Sequence, residues 1–359
     1  MKLLFISTEK GWHGGEEQLR LLVSGAAAAG HECRVATREG SIVADRLGSN
    51  GATVLKLPRA IRGPRSIWRL RRAVQKFRPD VIHANDPHGL SLQRTATWGL
   101  SVPARICSRR VLFPIYGTRK YRAGCDRMVC VSHAIAAVCR KSRIPDEMLA
   151  VVHDGADPAR VRAGDGRRGR ASLGLPADVP LVLCVAQLAQ YKGHRYLLDA
   201  IPAVLAKDPR AILALAGDGP LREELSTQCR ALGIDGVVRF LGYRDDVPDL
   251  IRACDVFALA SPEEGLGTSV LDATFAGRPV VAADAGGIPE MLRDGAGRPC
   301  GWLVAPRDPA ALAQGINEAL ATPDERARRV ALAQEWAAAE FTAATMVGRM
   351  LEVYADVLG

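Results

Sequence analysis

At 359 residues the chain is longer than one hydrophobic core ordinarily serves, so two domains are expected. No run approaches the roughly 18 apolar residues of a membrane span, and "MKLLFIST" is too short for a signal-peptide core and reads as a first buried strand. The nine Cys are an odd number without a C-x-x-C pair, which argues against a disulfide or zinc framework and for thiols in a reducing cytosol.

In chain order, "KLLFIST", "ECRVAT", "TVLKL", "DVIHAN", "ARICSR", "RMVCVS" and "AVVHDG" are the predicted strands of the first half, with helices over 16–29 and 66–77. In the second half "LVLCVAQL", "AILALAG", "VVRFLG", "VFALAS" and "PVVAAD" are strands, with helices near 194–206, 219–232, 246–253 and 268–276. Continuous apolar strands alternating with helices predict an α/β chain with parallel sheets covered on both faces. The segment 157–180 is rich in Gly, Pro and charge without periodicity and reads as a linker. The expected organisation is a Rossmann-like domain over 1–165 and a second over 172–342. A final helix over 343–359 is expected to pack back on the first domain.

Charge separates the halves. Residues 1–170 carry 31 Lys and Arg against 14 Asp and Glu, whereas the remainder carries 17 against 25. The basic half should meet an anionic partner: a lipid surface, a phosphorylated acceptor or nucleic acid. The helix "RSIWRLRRAVQKF" places Ile67, Leu70, Val74 and Phe77 on one face and Trp68, Arg69, Arg72 and Lys76 on the other. It reads as a surface helix packed on its sheet, whose outer face is also suited to anionic lipid.

Several motifs bear chemistry, each beside a plainer reading. "GDGPLREEL" (Gly217, Asp218, Gly219) is a strand-end turn opening a helix; it is good helix-start chemistry, or a bare turn that lets a nucleotide base approach. "VAQLAQYKGH" places Lys192 after a strand, where ligands of open α/β sheets collect, as a charge for phosphate or as a solvated loop residue. "EEGLGTSVLDATFAG" sets Glu264 before a turn (Gly265, Leu266, Gly267) into a helix starting at Thr268 and Ser269, with Asp272 one turn further. The N–H groups of Gly267, Thr268 and Ser269 would face a diphosphate at that helix N-terminus. Glu264 would lie level with a sugar beyond it and Asp272 with a ribose behind it. A cap by Thr268 is the plainer reading, but does not account for both acids. Asp245 and Asp246 in "RDDVP" read as helix-opening acids rather than metal ligands. On the basic half, His83, Asp86 and His88 follow a strand and could position or deprotonate an acceptor hydroxyl, or in the case of His83 pack into the strand end. Arg109 and Arg110 follow the next strand, either to meet an anionic acceptor or as solvated surface.

The second half resembles the retaining glycosyltransferases of family 4, which have the GT-B fold. The residues that carry the resemblance are Glu264 and Asp272 at the spacing of the family's paired acids, "KG" at 192–193, "GDGPL", "FLGYRDDVPDLIRACDVFALAS", "GRPVVAADAGGIPE" and "GWLVAPRDPAALAQGI". The first half agrees more loosely, through Gly14 and Gly15, "DVIHAN", "VCVSHAI" and "VVHDGAD". The resemblance implies two Rossmann-like domains and transfer of a sugar from a nucleotide diphosphate to a hydroxyl with anomeric configuration kept. It places Glu264 beside the donor sugar, Asp272 at the ribose hydroxyls, Lys192 at the diphosphate, and Gly14 and Gly15 near phosphates and acceptor. Two positions depart from the pattern. Gln187 stands where the family has Arg, and the second acid is Asp, one methylene shorter than Glu.

Fixed donors aimed at the departing diphosphate allow this chemistry without a metal or other cofactor. The expected partners are a nucleotide sugar, a lipid-linked or lipopolysaccharide-type acceptor and an anionic membrane surface. The expected location is the cytoplasm, at the inner membrane face. The base (UDP, GDP or ADP), the sugar and the linkage stay open. No nucleic-acid partner is expected; the alternatives are a GT-B-fold nucleotide-sugar epimerase or phosphorylase, against which the paired acids argue, and a non-enzymatic nucleic-acid or polyanion binder. Against the last stands an aromatic content of 5% with no known basic motif; aromatic interleaving among the basic residues is the feature that would favour it.

Overall fold

The structure is a computed structural model and describes residues 1–48 and 52–359. The chain divides into two compact units, Met1–Gly155 with Ala343–Gly359, and Ala156–Thr342.

The first unit holds seven parallel strands: β1 (Lys2–Ser7), β2 (Glu32–Arg38), β3 (Thr53–Leu57), β4 (Val81–Ala84), β5 (Ala104–Arg109), β6 (Arg127–Cys130) and β7 (Leu149–Val151). Their order is β3-β2-β1-β4-β5-β6-β7. The central strand shows why the sheet is covered on both faces. Side chains alternate along a strand, and in β1 Leu3 and Phe5 enter one core while Leu4 and Ile6 enter the other. The first core is closed by the helix Gly14–Ala28 and by Met346, Val347, Met350 and Tyr354 of the last helix, Ala343–Leu358. The second is closed by Leu70, Val74 and Phe77 of the helix Pro64–Phe77. Fully burying each such side chain contributes about 1.5–3 kcal/mol. Gly25 is where the first and last helices touch: a Cβ there would lie 2.6 Å from Val347 Cγ2.

The second unit holds six parallel strands: β8 (Leu181–Val185), β9 (Ile212–Ala216), β10 (Val238–Gly242), β11 (Val256–Leu259), β12 (Val280–Ala283) and β13 (Trp302–Val304), in the order β10-β9-β8-β11-β12-β13. Its first and last residues meet in a bridge between Ala156 and Thr342, with Ala156 N–H donating to Phe341 O at 2.9 Å. Two doubly wound parallel sheets are the architecture expected from the strand pattern.

The segment 157–180 differs from its sequence reading. It contains two helices, Pro158–Arg162 and Gly166–Ser172, started by Asp157, which accepts from Ala159 N–H at 2.9 Å, and Asp165, which accepts from Arg167 N–H at 2.8 Å. Its glycines serve close packing rather than flexibility. A Cβ at Gly164, Gly166 or Gly169 would overlap backbone of the helix Val247–Ala253 or its flank, at Pro248, Arg252 and Asp249 respectively. Arg168 pairs with Asp249, and Arg170 with Asp255 at 2.8 Å. The first unit therefore ends at Gly155, not at 165, and residues 156–172 belong to the second. The 18-residue helix Pro323–Glu340 and strand β13 lie outside the elements read from periodicity.

All nine Cys are buried and free of disulfides. Among the described residues no helix is long and apolar enough to cross a membrane.

Candidate functional site

In an open parallel sheet the crevice for ligands opens where strand order reverses, beyond the carboxyl ends of the two central strands. In the second unit those strands are β8 and β11. The loop after β8 runs through a short turn, Gln190–Lys192, to Gly193, whose φ of +66° suits glycine. A Cβ at Gly193 would overlap the Ala260 carbonyl oxygen, so the loops after β8 and β11 touch backbone to backbone. Ser261 Oγ donates to Lys192 O at 3.5 Å. Across this contact Lys192 Nζ donates to Glu264 Oε2 at 2.6 Å. Both side chains are mostly shielded, with 18% and 10% of their surface exposed. Glu264 is further held through its carbonyl, which accepts from Gly287 N–H at 3.0 Å. Gly267, at φ +99°, turns the chain into the helix Thr268–Phe275; a Cβ there would stand 3.2 Å from Glu264 Cγ. Leu266 is buried and anchors the loop, so its side chain is a core contact rather than a ligand contact. Thr268 and Ser269 form the first turn and are half-exposed.

Asp272 lies one turn along that helix. Its Oδ2 accepts from Arg160 Nη2 at 2.7 Å, from the helix Pro158–Arg162. Gln187 is exposed and its Oε1 accepts from Tyr191 Oη at 2.9 Å. The Gly217–Gly219 turn has a structural cause of its own. Cβ atoms at those glycines would overlap the carbonyl oxygens of Ala186 and Leu188, and Leu188 N–H donates to Asp218 O at 3.1 Å. The turn is bare because the loop after β8 lies on it. Asp218 itself is exposed. His194, which the sequence reading passed over, is buried beneath Lys192. Burial, helped by the nearby ammonium, pushes it down to about 4, and it stays neutral. Asp246 pairs with Arg244 and makes no side-chain cap, so it opens its helix without the hydrogen bond expected of a capping acid.

In the first unit the central strands are β1 and β4. Here three candidates are engaged by the protein itself, His83 in the packed position that the sequence left open for it. His83 is 2% exposed, with Nδ1 2.6 Å from Tyr354 Oη and Nε2 2.8 Å from Ser108 Oγ. Burial drives it down to about 3, so it is a neutral core histidine. Asp86 caps the helix Pro87–Ala96 through His88 N–H (2.9 Å) and Gly89 N–H (2.7 Å), and ties down Thr8 through its N–H (2.8 Å) and Oγ1 (2.7 Å). That carboxylate is fully engaged. Arg109 is buried, donating to Phe113 O and, at 3.4 Å, to Tyr121 Oη. It braces the loop after β5 instead of facing a ligand.

Other groups border this crevice. His88 is exposed in the first turn of its helix. Gly14 and Gly15 open the helix Gly14–Ala28, and a Cβ at Gly15 would touch Arg110 Cδ at 3.6 Å. Arg110 spans strand ends, donating to Asn85 Oδ1 at 2.8 Å and to Asp154 Oδ1 at 3.2 Å. Glu16 was not singled out by sequence. It accepts from His13 N–H at 3.1 Å in a capping box, and burial pushes its carboxyl up to about 7. The sequence signal for it is the N3 acid after a Gly-Gly helix start.

Residues 166–336 match the model of "Glycosyl transferases group 1", and residues 12–160 that of "Glycosyltransferase Family 4". A lipopolysaccharide core biosynthesis glycosyltransferase, LpsE of Rhizobium meliloti, is 28% identical over 80% of this chain and 79% of its own length. A D-inositol 3-phosphate glycosyltransferase of Corynebacterium kroppenstedtii is 33% identical over 59% of this chain, which spans about half (49%) of that relative. The crystal structure of Anabaena Alr3699/HepE with UDP and glucose superposes with a TM-score of 0.86 at 23% identity, over 99% of this chain and 100% of that one.

Proposed function

We propose that the chain is a glycosyltransferase of the GT-B type, a reading supported by the two family models it matches, and that it moves a sugar from a nucleotide diphosphate to a hydroxyl with anomeric configuration retained. The observation that carries this reading is the Lys192–Glu264 pair, set at 2.6 Å on the two loops that flank the reversal point of the second sheet. A nucleotide sugar laid along the helix Thr268–Phe275 puts its diphosphate at the N–H groups of Gly267, Thr268 and Ser269 and beside the Lys192 ammonium. The bond from the anomeric carbon to the diphosphate oxygen breaks, one to the acceptor oxygen forms, and the proton of the acceptor hydroxyl passes to the departing diphosphate oxygen. Lys192 and the helix N-terminus then meet the charge that develops on the leaving group, in a site where such donors need no reorganisation. Lys192 carries this load without a second cation at Gln187. Glu264 faces the reacting sugar. Asp272 accepts from the ribose hydroxyls, and Arg160 holds its carboxylate in place.

The acceptor is a lipid-linked or lipopolysaccharide-type glycan, which the relative named for lipopolysaccharide core biosynthesis supports. His88, exposed at the crevice of the first sheet, is the side chain to orient its hydroxyl. We place the enzyme in the cytoplasm.

The test is calorimetry of the full chain with UDP-, GDP- and ADP-sugars, followed by NMR of the product formed from the donor that binds. Binding of one donor and a product of unchanged anomeric configuration are expected. No binding in the panel, or an inverted product, would overturn the reading.

A further inference from the structure

The first unit carries a basic surface that the transfer chemistry does not use. The outer face of the helix Pro64–Phe77, which presents Trp68, Arg69, Arg72 and Lys76, is joined by Arg34 of β2 and Lys56 of β3. Together they line a shallow groove of about 340 Å³ with five cations and no carboxylate. The cations are steered without being neutralised. The Arg34 guanidinium lies 4.0 Å above the Phe77 ring, that of Arg72 lies 5.3 Å from the Trp68 ring, and Arg69 Nη1 donates to Lys56 O at 3.3 Å. Among the described residues, four of the five cations pair with no carboxylate, and Arg34 pairs with Glu32 on the same strand at 3.0 Å. Like charges held this close repel one another, and an anionic ligand relieves that repulsion.

We propose that this groove binds the phosphate headgroups of anionic phospholipid and seats the enzyme on a membrane surface. Two features favour a lipid headgroup over a free phosphate. Trp68 stands 57% exposed at the groove, and an amphipathic ring beside cations suits a surface that is apolar on one side and wet on the other. The groove is also shallow, so several headgroups of a lipid sheet can approach its rim, whereas one free phosphate would meet only part of the charge. The proposal is independent of how the second unit binds its donor.

The test is co-sedimentation of the full chain with phosphatidylcholine vesicles, with and without phosphatidylglycerol, at low salt. The parent should bind the phosphatidylglycerol vesicles alone, and binding should fade as salt brings the Debye length to about 8 Å. Each basic group near an anionic surface is worth about fivefold in partitioning, so W68A/R69A/R72A should lower binding by about tenfold or more. A folded K56A/K76A variant tests the same groove through other residues. The control K207A/R239A removes two exposed charges from the second unit and should bind as the parent does. Three results would overturn the proposal: a parent that ignores anionic vesicles at low salt, a control that loses as much binding as the groove variants, or displacement by inorganic phosphate at matched ionic strength.

Discussion

Both sheets reverse their strand order once, at β1/β4 in the first unit and at β8/β11 in the second. Polar residues crowd the strand ends and loops around both reversals, but they are used differently. In the second unit Lys192 and Glu264 turn toward each other across the crevice and keep part of their surface open. In the first, His83, Asp86 and Arg109 are consumed by the protein itself: one hydrogen-bonded on both ring nitrogens, one capping a helix and tying a loop, one bracing a backbone carbonyl. A polar residue beyond a strand end is thus a candidate ligand only while its hydrogen-bonding capacity is unspent. The first crevice keeps a framework of satisfied side chains with few open groups. The second keeps a charged pair available for chemistry.

Substitutions should separate these two uses. The largest effect is expected at Glu264. Glu264→Gln removes the carboxylate proposed to face the reacting sugar, and steady-state kinetics should show kcat lowered by about 10²–10³-fold, the size typical of losing a group that acts on developing charge. Donor affinity, read by calorimetry, should change far less. Retention of full kcat would mean that the pair is structural. At His83 the reverse is expected. His83→Ala strips two buried hydrogen bonds and leaves a cavity beside Tyr354, so the urea midpoint should fall by the equivalent of about 3 kcal/mol. Donor affinity should be unchanged. A donor-binding defect in a folded His83 variant would break the distinction between the crevices.

Asp272 sits between these cases. Asp272→Asn should weaken donor binding by about ten- to a hundredfold while kcat changes less, since the ribose does not react. Arg160→Ala should act in the same direction by less than about tenfold, because it only orients the acid. A donor lacking the ribose hydroxyls should be bound equally by the parent and both variants.

Glu16 gives a pH signature. Its folded pKa is raised from 4.5 to about 7, so the folded state holds a proton that the unfolded state has released between those values. Its stabilising contribution is complete below about pH 4.5 and is lost as pH rises through 7. Glu16→Gln should therefore match the parent near pH 4.5 and exceed it by about 3 kcal/mol at pH 8, measured by urea unfolding at both pH values. Equal stability at pH 8 would show that the Glu16 carboxyl is not raised.

Much of this was legible in the sequence, and the remainder fails for definite reasons. The parallel strands were readable because each is a short apolar run buried on both faces. The two acids and the lysine were readable from type and spacing. Their pairing was not, since Lys192 and Glu264 lie 72 residues apart and meet only once the strand order is known. Arg160 could not be read as the partner of Asp272, 112 residues away. The fate of His83 rested on Tyr354, 271 residues further along. The Gly-rich stretch 157–180 read as a linker because composition does not distinguish glycine that permits motion from glycine that permits contact. Gly164, Gly166 and Gly169 are of the second kind.

The central claim is that the crevice between β8 and β11 holds a nucleotide diphosphate sugar by way of Lys192. The most direct measurement is the calorimetric Kd of the donor for the full chain and for Lys192→Ala, with folding of the variant verified by its urea midpoint. Losing a charged hydrogen bond should weaken donor binding by about ten- to a hundredfold, and UDP, GDP or ADP without the sugar should be weakened by a similar factor. A folded Lys192→Ala protein that binds the donor as tightly as the parent would contradict the account.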